Sequence, residues 1–226
     1  EEERLRLINL KEEGEQLGVP KLRIVDRDWL DRNEPNLSRK ALAALYAPTA
    51  GIISPYQLVY DLYENAARNS VEFYTETKVQ DIISDKSNFE ITTSKGTFRT
   101  RYIVNAAGLF ADEISRMVGI SDFKIRPRKG EEFILDKKKE NIANHLIFPL
   151  PSRTSKGVLV IKTADGNPMI GPTADDIEDK EDLSTTDEGL KKVLTSAQRL
   201  IPSINEGDII AYFAGLRPVA GEDFII

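Results

Sequence analysis

This 226-residue chain is predicted to adopt a mixed fold, α+β with an α/β part: an antiparallel sheet with helices, joined to a strand-to-helix unit of the parallel kind. Three observations predict it. Leu58, Leu62 and Ala66 recur every four residues beside Val59, Tyr63 and Ala67, which puts one apolar stripe on a helix. Phe89, Ile91 and Thr93 alternate with polar neighbours, as a half-exposed antiparallel strand does. Tyr102, Ile103 and Val104 do not alternate and run directly into Asn105-Ala106-Ala107-Gly108, the pattern of a strand buried on both faces that opens into a helix.

The elements follow in order. Residues 1–17 read as an amphipathic helix with Leu7, Leu10 and Leu17 on one side, stopped by Gly18 and Pro20. A short strand over 22–25 and a helical turn around Trp29 close before Pro35, and residues 41–47 lead into a turn at Pro48–Gly51. Ser54 is placed to cap the helix over 55–68, and Pro55 suits its first position. Strand-like runs cover 71–75, 79–84, 89–93 and 97–99, and the helix after Gly108 ends near Val118 with Gly119 as its stop. Residues 124–135 and 145–150 read as strands, and 158–163 and 169–171 flank Asp165-Gly166, a hairpin signal. In the helix over 186–200, Thr185 and Glu188 form a capping box while Leu190, Val193, Leu194 and Ala197 face inward. Residues 209–213 make the last strand, and the acidic stretch 175–182 is read as a solvated loop.

Composition removes several classes of function. No cysteine means no disulfide, thiolate metal site or cysteine nucleophile within these residues, which fits a reducing cytoplasm. A single histidine, His145, puts a multi-histidine metal site out of reach. A net charge of -6 argues against a nucleic-acid binder and obliges any site for an anion to supply its own cations. No apolar run approaches the roughly 20 residues of a spanning helix.

Three ordered segments, TKVQDI, YIVNAAGLFADEI and FAGLRP, resemble the FAD-dependent amine and hydroxy-acid oxidoreductases, the D-amino-acid oxidase-like family. The intervening APTAGIISPYQL, RPRKGEEFIL and DGNPMIGPTADDIEDKED look like its branch of glycerol-3-phosphate dehydrogenases and 2-hydroxyglutarate oxidases. The resemblance implies a substrate domain from residues 1–53 and 120–220, a middle part of a Rossmann-like FAD-binding subdomain from 54–119, and a return to that subdomain at 221–226. It implies FAD as cofactor and a small anionic secondary alcohol as substrate, foremost sn-glycerol 3-phosphate, with a 2-hydroxy acid as the alternative. The electron acceptor stays open, as does peripheral membrane attachment of the longer protein.

The family's glycine-rich fingerprint, G-x-G-x-x-G, is absent, since no two glycines here lie closer than four positions apart. With no initiator Met either, the expectation is an internal piece, inactive alone, that retains FAD weakly or not at all and self-associates through uncovered apolar surface. A non-catalytic binding domain on a flavoprotein scaffold is the alternative from another class.

The resemblance also nominates site residues. Thr77 and Val79 match the position whose backbone pairs with adenine. Ala106, Ala107 and Gly108 match the turn that lets the chain approach the dinucleotide, with Gly215 near the flavin, and ordinary close packing would favour the same small residues. Arg217 matches the arginine that binds the substrate's acidic group, against the plainer reading of a salt bridge to Glu222 or Asp223. His145 and Glu132 are candidates for the hydroxyl proton, Glu132 standing where relatives commonly carry tyrosine. Arg128 and Lys129 are candidate cationic helpers, or else solvated bases.

Overall fold

The structure, a computed structural model, describes residues 2–85, 87–151 and 156–221. Its helices are α1 (Glu2–Gln16), α2 (Arg27–Asn33), α3 (Pro55–Arg68), α4 (Ala111–Met117) and α5 (Asp187–Leu200). Its strands are β1 (Arg23–Asp26), β2 (Ala43–Tyr46), β3 (Val79–Asp85), β4 (Asn88–Thr93), β5 (Gly96–Thr100) and β6 (Arg126–Leu135). They continue with β7 (Leu159–Lys162), β8 (Pro168–Gly171), β9 (Asp175–Asp176) and β10 (Ile209–Val219). Two compact units result: Glu1–Pro55, Gly130–Ala174 and Leu183–Gly215 form the first, and Tyr56–Lys129, Asp175–Asp182 and Leu216–Ile226 the second.

In the first unit the strand order is β10-β6-β8-β7. The registers Phe133↔Ile170 and Val160↔Ile170 set these three side chains on one face, because successive residues of a strand point to opposite sides. That face packs against Val193 and Ala197 of α5, with Leu135, Ile201 and Ile204 completing a core that excludes water. The inward stripe of α5 is therefore the one its spacing predicts.

The cap of α5 differs from expectation. Its N-cap is Thr186, whose hydroxyl accepts from Gly189 N at 2.9 Å. No acid of the helix completes the box. Instead the buried Glu131 of β6 accepts from Thr186 N at 2.7 Å and from the Thr186 hydroxyl at 3.0 Å. A strand carboxylate thus does what a helical glutamate does in an ordinary capping box. Gly189 is glycine for the same reason, since a Cβ there would overlap the Glu131 carboxyl group. Gly189→Ala would raise helix propensity, yet it should lower stability by about 2 kcal/mol because overpacking a filled site outweighs that gain. Urea denaturation checks this, and a stabilised variant would remove the argument.

A second, smaller core of Val25, Leu30 and Leu37 joins α2 to the β1-β2 pair. Asp26 caps α2 by accepting from Trp29 N at 2.9 Å. The length of α1 agrees with expectation, and its Leu7 and Leu10 are half-buried as expected, but Leu17 beyond it is exposed and no residue of the helix is fully buried.

The second unit holds the antiparallel meander β3-β4-β5 together with α3 and α4. The stripe on α3 is present but uncovered, with Leu58, Val59, Leu62 and Tyr63 all exposed. Residues 71–75 are not a strand, and 145–150 contribute only the single bridge Ile147↔Val160. The largest correction concerns Tyr102–Val104. It forms no strand and is unpaired among the described residues, with Tyr102 81% and Val104 90% exposed. A strand buried on both faces needs a neighbour on each side, and the meander of this unit adds none to it.

The acidic stretch 175–182 is not a free loop either. Asp176 takes both Arg128 contacts (2.6 and 3.1 Å), Ile177 N donates to Pro127 O, Lys129 meets Asp182 at 2.8 Å, and Lys180 meets Asp112 at 2.7 Å. Asp176, Lys180 and Asp182 are engaged by the start of β6 and by α4, while Glu178, Asp179 and Glu181 stay exposed, in keeping with a solvated stretch.

Candidate functional site

The bend after Val104 is built by one side chain. The Asn105 amide donates from Nδ2 to Ala111 O at 2.8 Å and to Ser115 Oγ at 3.0 Å, while its Oδ1 accepts from Ala107 N at 3.3 Å. This clamps the entry of the bend onto the first turns of α4. Gly108 then takes a left-handed φ of +57°, a conformation that larger side chains adopt with strain. Ala106, Ala107 and Gly108 are all exposed, and a Cβ built on Gly108 would meet no atom within 4 Å. The result is a fixed stretch of nearly bare backbone open to a ligand. The sequence reading noticed its small residues but missed the asparagine that holds them, although an Asn directly before a small-residue turn is a recognisable signal.

In the same unit Val79 opens β3, half-buried and paired with Thr93, next to an irregularity in register between Val79 and Asp81. Thr77 lies just before it, its hydroxyl donating to Thr75 O at 3.0 Å. Arg217 is exposed on the last part of β10 and has no ion pair among the described residues. Glu222 and Asp223, its suggested competitors, lie outside those residues. Arg128 and Lys129, the candidate cationic helpers, are each engaged with an aspartate. The Asp176 charge and hydrogen bond hold Arg128 firmly in its charged form.

In the first unit the sheet has a face without helices. The β8 registers place Ile134, Met169 and Ile161 on it, followed by Glu132, Gly171 and Leu159 two residues along each strand. A Cβ on Gly171 would come within 3.0 Å of Glu132 Cγ, so the glycine is what allows this glutamate to lie flat against β8. Glu132 is half-buried, and its side chain makes neither hydrogen bond nor ion pair among the described residues. Burial pushes its carboxyl group above the ordinary range, with no neighbouring charge contributing. Gly215, on β10, is exposed with open space around it.

His145 sits elsewhere in that unit. Its Nδ1 lies 2.6 Å from Glu34 Oε1, and its ring packs at a tilt against Trp29 at 5.6 Å and edge-on with Tyr46 at 5.4 Å. Glu34, 2% exposed, also accepts from the backbone N–H groups of Asn144 and His145. A carboxylate can only accept, so it holds the imidazole hydrogen on Nδ1 and ties the half-exposed ring to the buried Glu34. Two surface cavities of about 240 and 270 Å³ lie in this unit around the end of α5, both bordered by Arg199, and neither is lined by a candidate residue. No group able to hold a metal ion occurs among the described residues. No helix among them is long and apolar enough to cross a membrane.

The second unit thus offers open backbone at 106–108, and the first an unpartnered carboxylate on an uncovered sheet face. The family model described as FAD dependent oxidoreductase matches residues 1–226. A glycerol 3-phosphate dehydrogenase of Caloramator mitchellensis is 41% identical over 100% of this chain and 47% of its own length. A glycerol 3-phosphate oxidase of Mycoplasma genitalium is 30% identical, again over 100% of this chain and 61% of its own. The structure of dithionite-reduced L-alpha-glycerophosphate oxidase from Mycoplasma pneumoniae with FAD bound superposes with a TM-score of 0.88 at 27% identity, covering 97% of this chain and 59% of that one. The chain therefore spans roughly half to three fifths of the length of the proteins it matches. On the full-length family match and these identities, the chain belongs to the family of FAD-dependent oxidoreductases.

Proposed function

We propose that the protein to which this chain contributes oxidises sn-glycerol 3-phosphate to dihydroxyacetone phosphate, with FAD as cofactor. The observation that carries this reading is the bare, Asn105-clamped backbone at Ala106–Gly108, in a chain whose relatives are named for that substrate. In this reading residues 54–119 belong to the middle part of the FAD-binding domain and 1–53 with 120–220 to the substrate domain, although 120–129, 175–182 and 216–220 cluster with the second unit. Residues 222–226, where the chain would return to the FAD-binding domain, lie outside the described residues. Ala106, Ala107, Gly108, Thr77, Val79 and Gly215 are the positions that would hold FAD, and Arg217 the substrate phosphate. When bound, FAD supplies the acceptor for the hydride that leaves the carbinol carbon.

Turnover of the intact protein with an artificial electron acceptor tests this. Glycerol 3-phosphate should be oxidised in preference to 2-hydroxyglutarate. The reverse preference would move the substrate to a 2-hydroxy acid, and no turnover of either would favour a non-catalytic scaffold. The chain alone is expected to purify without a flavin absorbance band. A cytoplasmic setting fits the absence of cysteine, and the electron acceptor is left open.

The exposed stripe of α3 and the uncovered Tyr102–Val104 segment are where further parts of the flavoprotein domain would pack. The same surface should make the isolated chain self-associate at micromolar concentration. A monomer by light scattering would remove that expectation.

A further inference from the structure

We propose that Glu132 is the general base that takes the hydroxyl proton of the alcohol, an inference that rests on the flavoenzyme reading above. Oxidising a secondary alcohol to a ketone breaks two bonds. The C–H electron pair leaves as hydride to the flavin, the O–H proton needs an acceptor, and the C=O bond forms between them. In this assignment the proton moves to a Glu132 carboxylate oxygen and from there to water.

Three observations select Glu132. It is the member of its neighbourhood left without work. Glu131, one residue earlier on the opposite face, is consumed by capping α5, and His145 is fixed by Glu34 between two rings. Its surroundings are apolar: Ile134 on its own strand, Met169 and Gly171 on β8, Leu159 and Ile161 on β7. Finally, it lies on the sheet face that no helix covers. A carboxylate desolvated without a compensating donor is a cost that proteins tolerate mainly where the group acts. Desolvation also makes it a better proton acceptor than an exposed glutamate, by raising its affinity for the proton. The other charged or titratable groups on β6 are Arg126, Arg128, Lys129 and Glu131, with Arg128 held by Asp176, Lys129 by Asp182 and Glu131 by Thr186, and those on β10 are Tyr212 and Arg217.

The test is Glu132→Gln in the intact flavoprotein, an isosteric change that removes the proton-accepting oxygen. Flavin bleaching by substrate should slow by about 100-fold or more, the scale of a lost general base. The acid limb of the kcat/KM profile should disappear, while the dissociation constant of the ketone product, read from the flavin spectrum, should change less than threefold. Glu132→Asp should recover part of the rate and keep the acid limb. A Gln variant that retains both rate and acid limb overturns the assignment. If neither variant folds, ¹³C titration of the wild-type glutamates decides: a Glu132 carboxyl that titrates at or below the ordinary range overturns it, and one that titrates above supports it. The base is read on whichever secondary alcohol the wild type oxidises, so failure on glycerol 3-phosphate alone sinks the substrate reading and leaves the base standing. An intact protein that oxidises no alcohol sinks both.

Discussion

Arg217→Leu in the intact enzyme should raise KM for glycerol 3-phosphate by about 100-fold with kcat nearly unchanged. A hydrogen bond to a charged group contributes about 1.5–3 kcal/mol, and a guanidinium can offer two in parallel to phosphate oxygens. Allowing for water that replaces part of the interaction, a net loss near 2.7 kcal/mol corresponds to about two decades in affinity. On the proposed reading the phosphate does not take part in the bond changes and is held equally in ground and transition states, so the loss belongs in KM. Arg217→Lys should fall between, at about tenfold, because an ammonium keeps the charge but not the fork. Steady-state kinetics with the three proteins measures this. An unchanged KM would reassign Arg217 to the protein's own ion pairs, and an accompanying loss of thermal stability would point to acids such as Glu222 and Asp223.

Much of this architecture is legible in the residue pattern because it is local. The stripe of α3, the alternation of β4 and the β7-β8 pair around Gly166 depend on neighbours a few positions away, and all appear where their spacing puts them. What the pattern hides is set by distant partners. Thr185 and Glu188 satisfy the capping signature, yet Thr186 caps α5 because Glu131, from β6, supplies the acid. The acidic run 175–182 looks solvated until Arg128, Lys129 and Asp112 are brought to it by the fold. Tyr102–Val104 carries the composition of a central strand without the neighbours that would bury it. The candidate site divides the same way. The small residues at 106–108 are visible in sequence, but the isolation of Glu132 is visible only once every nearby donor is seen to point elsewhere.

Lys180→Met should destabilise the second unit by about 3 kcal/mol at pH 7, the usual cost of leaving one member of a buried ion pair unmatched. Lys180 Nζ meets Asp112 at 2.7 Å and Glu113 at 3.0 Å, and lies over the Phe110 ring at 5.4 Å. Asp112 is 1% exposed, so without Lys180 its charge keeps only Arg116, 3.2 Å away, and a backbone N–H from Ile125. Burial by itself would raise the Asp112 carboxyl, but the Lys180 hydrogen bond, the Ile125 amide and the two cations together pull it below the ordinary range. For Lys180, burial favours the neutral amine, and the two carboxylates override this and raise it. The pH dependence follows from those directions. A depressed aspartate stabilises the fold fully above about pH 4, its unfolded value, and loses that contribution as pH falls through the lower folded value. A raised lysine stabilises fully below about pH 10.4 and loses that contribution as pH rises through the higher folded value. In the Met variant Asp112 keeps its burial and loses its main partner, so its carboxyl rises and the acid limb of stability moves toward neutral pH. Adding Asp112→Asn should recover part of the loss, since the stranded charge goes with it. Urea denaturation at pH 3, 5, 7 and 11 reads these effects. A single variant that loses under 1 kcal/mol at pH 7, with its acid limb unmoved, would mean that the contact between α4 and the 175–182 segment carries no ionic weight.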